Sequence, residues 1–539
     1  MFDNKTLTIA FNFLRIPTFD RLADSLFIPF QVFLLLLFIS GCSTIPKDVD
    51  RPVSHVLTET DDTELSDLVS PAEEKHAGLS GFVLLDRGKV ALDSRLALVD
   101  LAEKSIDIQT YLWRTDTSSQ ILTERLLDAA DRGVRIRILL DDFLLRDRDF
   151  GLAAFDAHPN VSIRVFNPFG SRLYLGPINL RRKFELLTDL SRLNYRMHNK
   201  VLVVDNQVGI VGGRNISDEY YGYNKKYNFF DLDLLASGPV VNDVSQGFDD
   251  YWNSEWVYPI TVFRDHPSAE KLPELYGDFR ASVKNLRIRS GLKRNNGKSN
   301  VLQELLNKFV WADAEVIIDI PDKADGTDIN RIGVFESLRE TALGSDSEVL
   351  IVSPYFIPGP NAGNSLSEYA KRGVSVKVLT NSLASTNQVA AFSGHARYRK
   401  DVIKSETQLY EFRSDVAELV REDDIPGSSG KSGLHAKMMT FDRERVFIGS
   451  FNLDPRSINL NTEIGLLVYS KELAVQVAEL IDELMHAENS WQVRLDKNDH
   501  LVWLGTKNGK RIEYNSEPEA SVWRRFNNFI FSFKYNEPI

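Results

Sequence analysis

The chain has 539 residues, 43% of them hydrophobic and 26% charged, with a formal net charge of -12. That is about two to four domains' worth of chain, and the composition excludes a disordered, collagenous or polytopic membrane protein. The acidic balance argues against nucleic acid as a partner, and the single cysteine, Cys42, excludes an intramolecular disulfide or a thiolate zinc site.

Residues Ser25 to Pro46 carry no charge and centre on the apolar run Val32 to Ile39, with Lys5, Arg15 and Arg21 upstream. A basic start, a short apolar core and small residues at its end describe an export signal. Ile39-Ser40-Gly41-Cys42 resembles the bacterial lipobox, which implies lipidation of Cys42, and Ser43 after it resembles lipoproteins sorted to an outer membrane. The alternative is an uncleaved membrane helix over roughly residues 25 to 45, interrupted by Pro29 and Gln31. Either way the protein is tethered to a membrane with the remainder outside the cytoplasm. From Ser43 to Ala77 the chain is polar and acidic, so a flexible tether is expected, with a span of roughly 30–35 Å.

Beyond the tether a unit recurs. Ile106 to Trp113 reads as a buried strand, Ser119 to Arg132 as a helix stopped by Gly133, and Val134 to Asp141 as a second strand. Glu348 to Phe356, a helix ending at Arg372-Gly373, and Val374 to Asn381 repeat the series. Alternating strands and helices predict a layered α/β domain, present twice. Each copy carries a His-x-Lys-x4-Asp motif followed by a Gly-rich turn and Asn. These are His198, Lys200, Asp205, Gly212-Gly213 and Asn215, then His435, Lys437, Asp442, Gly449-Ser450 and Asn452. The paired His, Lys, Asp and Asn residues are all 237 positions apart (435 minus 198 for the histidines), so the repetition is not accidental.

On a strand, His and Lys two apart project to one face, and the apolar run Val201 to Val204 anchors them. Two such units facing each other suit a phosphodiester. One imidazole can attack phosphorus and form a phosphohistidine, while the other protonates the leaving alkoxide and then takes a proton from the incoming alcohol or water. Lys200, Lys437, Asn215, Asn452 and the Ser450 hydroxyl would stabilise the non-bridging oxygens, so no metal or other cofactor is called for. Asp231, 33 residues after His198, and Glu463, 28 after His435, are the candidate orienting carboxylates. Asp205 and Asp442 fall seven after their histidines, on the opposite face, and are expected to pin loops or the seam between halves.

The paired motifs resemble the phospholipase D superfamily. The longer context, Ser191 to His198, Leu379 to Ala384 and Phe447 to Ser457, resembles its C-type bacterial cardiolipin synthases. The resemblance runs from about Gly78 to the carboxyl terminus. It implies two tandem phospholipase D-type α/β/α sandwich domains related by pseudo-two-fold symmetry, with the active site at their interface. It further implies transfer of a phosphatidyl group from one phospholipid to phosphatidylglycerol, with His198 as nucleophile and a phospholipid bilayer as partner. Two features depart from the pattern: Gly213 stands where the second copy has Ser450, and the lipoprotein-like start is not shared.

The chain is thus expected to divide into a signal segment (1–42), tether (43–77), first domain (78–260), connector (261–335), second domain (336–490) and carboxyl-terminal extension (491–539). Two stretches mix aromatics with positive charge and could meet a bilayer: Phe166 to Leu175 with Arg181 to Phe184, and a helix carrying Trp523, Phe526, Phe529, Ile530 and Phe533 beside Arg524, Arg525 and Lys534. Packing against the protein is expected for the terminal helix. Gly427 to Ser432 resembles a nucleotide loop but has the wrong spacing, and reads as a mobile entry to His435. His395 reads as structural. Hydrolysis to phosphatidic acid, a nuclease and an inactive scaffold are the competing functions.

Overall fold

A computed structural model describes residues 45–46, 48–145, 148–173, 182, 185–290, 300–323, 333–416 and 430–534. The chain divides into two compact units, Met1–Asp48 with Phe169–Leu190, and Val49–Pro168 with Ser191–Ile539. In the smaller one, the amides of Gly170 and Ser171 donate to the Glu185 carboxylate at 2.5 and 3.0 Å, and Arg182 lies 3.9 Å over the Phe169 ring. Cys42, the apolar run before it, and Tyr174, Leu175, Arg181, Lys183 and Phe184 of the expected docking loop lie outside the described residues. So do Gly427 to Ser429. Among the described residues no helix is long and apolar enough to cross a membrane.

The larger unit holds both motif repeats. Its first half supplies β1 (Ser80–Leu85), β2 (Ser105–Thr110), β3 (Arg135–Asp141), β4 (Val161–Phe166), β5 (Val201–Val204), β6 (Val208–Gly212), β7 (Asn228–Phe230), β8 (Asp233–Ser237) and β9 (Val257–Pro259). The second supplies β10 (Val310–Ile318), β11 (Glu348–Val352), β12 (Ser375–Asn381), β13 (Gln408–Phe412), β14 (Ser432–Leu434), β15 (Met438–Phe441), β16 (Arg445–Gly449), β17 (Ile464–Tyr469), β18 (Ser490–Leu495), β19 (Leu501–Lys507) and β20 (Lys510–Tyr514).

From one edge the first half of the sheet runs β9-β4-β3-β2-β5-β6-β8-β1. Strand β1 pairs with β10, and the second half follows as β10-β17-β16-β15-β11-β12-β13-β18-β19-β20. Outward from the β1–β10 pair, the two directions match strand for strand until β19 and β20. This is the pseudo-two-fold arrangement expected of two tandem α/β domains. The three repeat strands of each half, β2-β3-β4 and β11-β12-β13, run parallel, as expected for strands joined through helices.

Side-chain alternation explains the cores. In β5, Val201 and Val203 enter a core shared by both halves, whereas Leu202 and Val204 enter the outer core of the first half. The shared core also takes Leu434, Ala436 and Met438 from the second motif, and the helices Pro239–Trp252 and Lys471–Leu484 line it. The two motifs are therefore fixed on one continuous apolar body.

Three expectations need correction. The stretch expected as a tether is, from Val49 onward, packed on the first half. Its backbone receives Arg137 and Arg164 at Ser54 and Pro52, and a helix, Glu64–Glu73, buries Leu65 and Val69 beneath a Thr63 cap. Leu65, Leu68 and Val69 have helical spacing that dense acidic residues concealed. The carboxyl-terminal extension is not separate: β18 to β20 lengthen the second half's sheet and bury Trp491 and Trp503. The terminal helix, Val522–Lys534, does not bury its apolar stripe; Trp523, Phe526, Phe529 and Ile530 are exposed.

Candidate active site

Each motif begins just before its strand. His198 to Lys200 lie in the irregular segment leading into β5, and His435 to Lys437 in the one leading into β15, so these residues precede the strands on which the sequence placed them. The residue ahead of each histidine is held by a side chain at the end of a repeat strand. Asp141, ending β3, accepts from Met197 N–H at 3.0 Å. Asn381, ending β12, accepts from Leu434 N–H at 2.9 Å and donates to Leu434 O at 2.8 Å. Neither was singled out from sequence, although both end strands whose C-terminal edge faces the motifs.

The halves are stitched at the motifs themselves. His198 N–H donates to Thr462 O at 2.9 Å, and His435 N–H to Phe230 O at 2.8 Å. Each of those acceptors precedes a candidate orienting carboxylate by one residue. The consequence reverses the pairing implied by sequence distance: Glu463 Oε2 is 2.8 Å from Nδ1 of His198, and Asp231 Oδ2 is 2.7 Å from Nδ1 of His435. Each carboxylate serves the histidine of the opposite half.

A carboxylate only accepts, so both histidines carry their proton on Nδ1 and present a bare Nε2 when neutral. Burial lowers His198 to about 4 and His435 to about 3. Glu463 opposes this for His198, and Asp231 for His435, without overcoming it. Burial alone would raise Asp231, but His435, Lys437 and Arg214 hold it at about 2; Glu463 is likewise held low by His198, Lys200 and Ser450 against its burial. The site therefore rests as two neutral imidazoles on two carboxylates.

Both ammonium groups are buried with them. Lys200 Nζ donates to His198 O at 2.5 Å, and Lys437 Nζ donates to His435 O and lies 3.0 Å from Nδ1 of the same ring. Burial, before the charges around them, lowers Lys200 to about 7 and Lys437 to about 8. Cations held so close to neutrality gain from an arriving phosphate.

The remaining expected residues separate by role. Ser450 does not face an open oxyanion position; its Oγ donates to Glu463 Oε2 at 2.5 Å, while Ser457 Oγ binds Oε1 at 2.7 Å. Gly213 occupies the matching place because a Cβ there would come within 2.1 Å of Asp231 Oδ1. The two halves thus meet one need differently: a longer glutamate held by serine, or a shorter aspartate against glycine. Asn215 is committed, accepting from Leu112 N–H at 3.2 Å and donating to Tyr220 Oη at 2.8 Å; Asn452 Oδ1 is buried with no hydrogen-bond partner among the described residues. Tyr220, which sequence reasoning missed, stands 3.5 Å from Nε2 of His435.

Asp205 and Asp442 lie at the far ends of their strands. Asp205 accepts the amides of Glu103, Lys104 and Ser105, and Asp442 those of Asp346, Ser347 and Glu348. Each also opens the three-residue connection to the next strand, with positive φ at its first two residues, 50° then 51° at Asp205-Asn206 and 55° then 54° at Asp442-Arg443. That conformation favours Asp and Asn.

Two residues support the carboxylates from behind. Asp319 exchanges backbone and side-chain hydrogen bonds with Glu463 at 3.0 Å, and Arg214 donates to Asp231 O at 2.5 Å. His395 is away from this cluster, bonded to Phe356 O and Glu411 inside the second half. Among the described residues no group of three or more His, Cys, Asp or Glu is placed to hold a metal ion.

The profile described as "Cardiolipin synthase, PLD-like domain" matches residues 96–252 and 338–485, one match on each half. Cardiolipin synthase C of Escherichia coli (strain K12) is 36% identical over 470 residues, covering 86% of this chain and 96% of that one. Cardiolipin synthase A of Pseudomonas putida is 26% identical over 403 residues, covering 74% of this chain and 67% of that one. The crystal structure of phosphatidylserine synthase from Haemophilus influenzae Rd KW20 shares the fold at a TM-score of 0.54 and 14% identity, over 87% of this chain and 99% of that one. With a motif of the family in each half and both motifs meeting at one cluster, this chain belongs to the phospholipase D-like family of cardiolipin synthases.

Proposed function

We propose that the chain is a phosphatidyltransferase that makes cardiolipin, taking a phosphatidyl group from one phospholipid and delivering it to the glycerol headgroup of phosphatidylglycerol. The observation that carries the reading is the pair of buried imidazoles with Nδ1 fixed by a carboxylate, and with Nε2 of His198 making no hydrogen bond among the described residues. Nε2 of His198 attacks the donor phosphorus, and the P–O bond to the headgroup breaks as His435 passes to the departing alkoxide a proton taken from the Lys437 ammonium, 3.4 Å from its Nε2. His435 then removes the proton from the incoming primary hydroxyl, whose oxygen attacks phosphorus and releases His198. His198 is given the first step because Nε2 of His435 already has Tyr220 and Lys437 beside it. Both ammonium groups and the Nδ2 amide of Asn452 would donate to the non-bridging oxygens. Attachment through Cys42 outside the cytoplasm accompanies this reading and would hold the enzyme beside its substrates.

Hydrolysis to phosphatidic acid uses the same residues with water as acceptor, and the burial of the cluster favours an alcohol over bulk water. Purified full-length protein incubated with phosphatidylglycerol vesicles, followed by lipid mass spectrometry, decides between them. Cardiolipin is the expected product. Phosphatidic acid alone would overturn the synthase reading in favour of a phospholipase.

A further inference from the structure

We propose that the carboxyl-terminal helix Val522–Lys534 is the surface by which the catalytic unit sits on an anionic bilayer, with its apolar stripe in the headgroup–acyl boundary. The stripe is exposed where the sequence alone favours burial: Val522 is 85% exposed, Trp523 68%, Phe526 50% and Ile530 48%. Trp523, Phe526 and Ile530 follow helical spacing on one side, and the Trp523 and Phe526 rings stack at 5.6 Å. Leaving such a stripe in water is costly, whereas indole and phenyl groups are well placed at a membrane interface.

Charge selects the occupant. The helix contains Arg524, Arg525 and Lys534 and no acidic residue, in a chain whose net charge is -12. A basic apolar helix complements anionic lipid, and a second copy meeting it helix to helix would offer the same positive surface.

Its position ties the helix to the chemistry. Arg524 donates to Leu383 O at 2.8 Å and to Thr386 O, in the loop that follows β12. In that loop Ser385 Oγ binds Asn381 Oδ1 at 3.0 Å, and Ser385 O accepts from Tyr227 Oη at 2.5 Å. Asn381 in turn holds Leu434, the residue before His435. A helix resting on lipid would therefore seat on the bilayer the loop that positions the second motif. The inference rests on the phospholipid reading above for its purpose, but its test does not depend on turnover.

The full-length protein and its Trp523→Phe variant are reconstituted in phosphatidylglycerol/phosphatidylcholine vesicles with brominated or ordinary acyl chains. Bromine should quench a component of the tryptophan emission that disappears in Trp523→Phe; identical quenching in both proteins would overturn the proposal. In parallel, Trp523→Ser/Phe526→Ser/Ile530→Ser should turn over vesicle substrate roughly tenfold or more slowly. The same variant should match wild type on short-chain phospholipid in detergent. Equal loss on both substrates would make the helix a structural brace and sink the idea, as would a change of oligomeric mass with quenching at Trp523 absent. If wild type transfers no phosphatidyl group on either substrate, the enzymatic reading fails, while the quenching comparison still decides the docking surface.

Discussion

His198 Nδ1 lies 2.8 Å from Glu463 Oε2, a contact across 265 residues. Its mirror image joins His435 to Asp231 across 204 residues. Because the carboxylates are exchanged between halves, neither motif is complete without the other. The exchange also assigns each carboxylate to a histidine. Glu463→Gln should slow formation of the phosphoenzyme through the nucleophile, and Asp231→Asn both its formation and its consumption through the general acid–base, each by about 10²–10⁴-fold through loss of the tautomer. Rapid quench with labelled donor lipid reads both steps; the opposite assignment would make His435 the nucleophile.

Gly213 and Ser450 occupy equivalent places with different partners, so making the halves alike should do harm. Gly213→Ser would drive a Cβ into Asp231 Oδ1, where 2.1 Å is available, and displace the support of His435. A loss of about 1–3 kcal/mol in chemical denaturation is expected together with loss of turnover. A stable, active variant would show that Asp231 can move without consequence.

The sequence held the repeat, the motif spacing and both carboxylates, because these are local patterns: alternation along β5 and β15, a helix stop at Gly133, and a fixed interval between copies. What it hid was set by pairing. Nothing near Asp231 indicates that Phe230 O would receive the amide of His435, and the crossed assignment follows from that backbone bond. Asp141 and Asn381 were hidden for a related reason: each acts on a residue more than fifty positions away. The helix at Leu65 and Val69 was lost to composition, since its apolar positions are few among acids.

The two asparagines should separate cleanly. Asn215 satisfies Leu112 N–H and Tyr220 Oη, so Asn215→Ala should lower stability by about 1–3 kcal/mol. Asn452 makes no side-chain hydrogen bond among the described residues, which leaves its Nδ2 free to donate to a phosphate oxygen, so Asn452→Ala should leave the unfolding midpoint in place and reduce kcat by about 10²–10³-fold. A stability loss at Asn452 as large as that at Asn215 would argue against a role on substrate.

Lys200 spends stability on function. Its folded value of about 7 lies below the ordinary 10.5, so the unfolded chain binds more protons between those limits and stability rises with pH across them. The cost is complete below about pH 7 and smaller at pH 9. Lys200→Met should therefore raise Tm more at pH 6.5 than at pH 9 while abolishing turnover. A variant that gains equally at both values would place the cost outside this ammonium group.

The same values shape the rate. kcat/KM reports the free enzyme, in which a neutral His198 and charged lysines are wanted together. The neutral imidazole is lost as pH falls through about 4, and the ammonium charges as pH rises through about 7 for Lys200 and about 8 for Lys437. The profile should be a bell whose basic limb lies two units or more below that of an ordinary lysine. Lys437→Arg, with a guanidinium that stays charged, should lower the maximum yet carry its share of the basic limb to higher pH. A limb centred near pH 10 in wild type, or one unmoved in Lys437→Arg, would mean that these cations do not hold the phosphate.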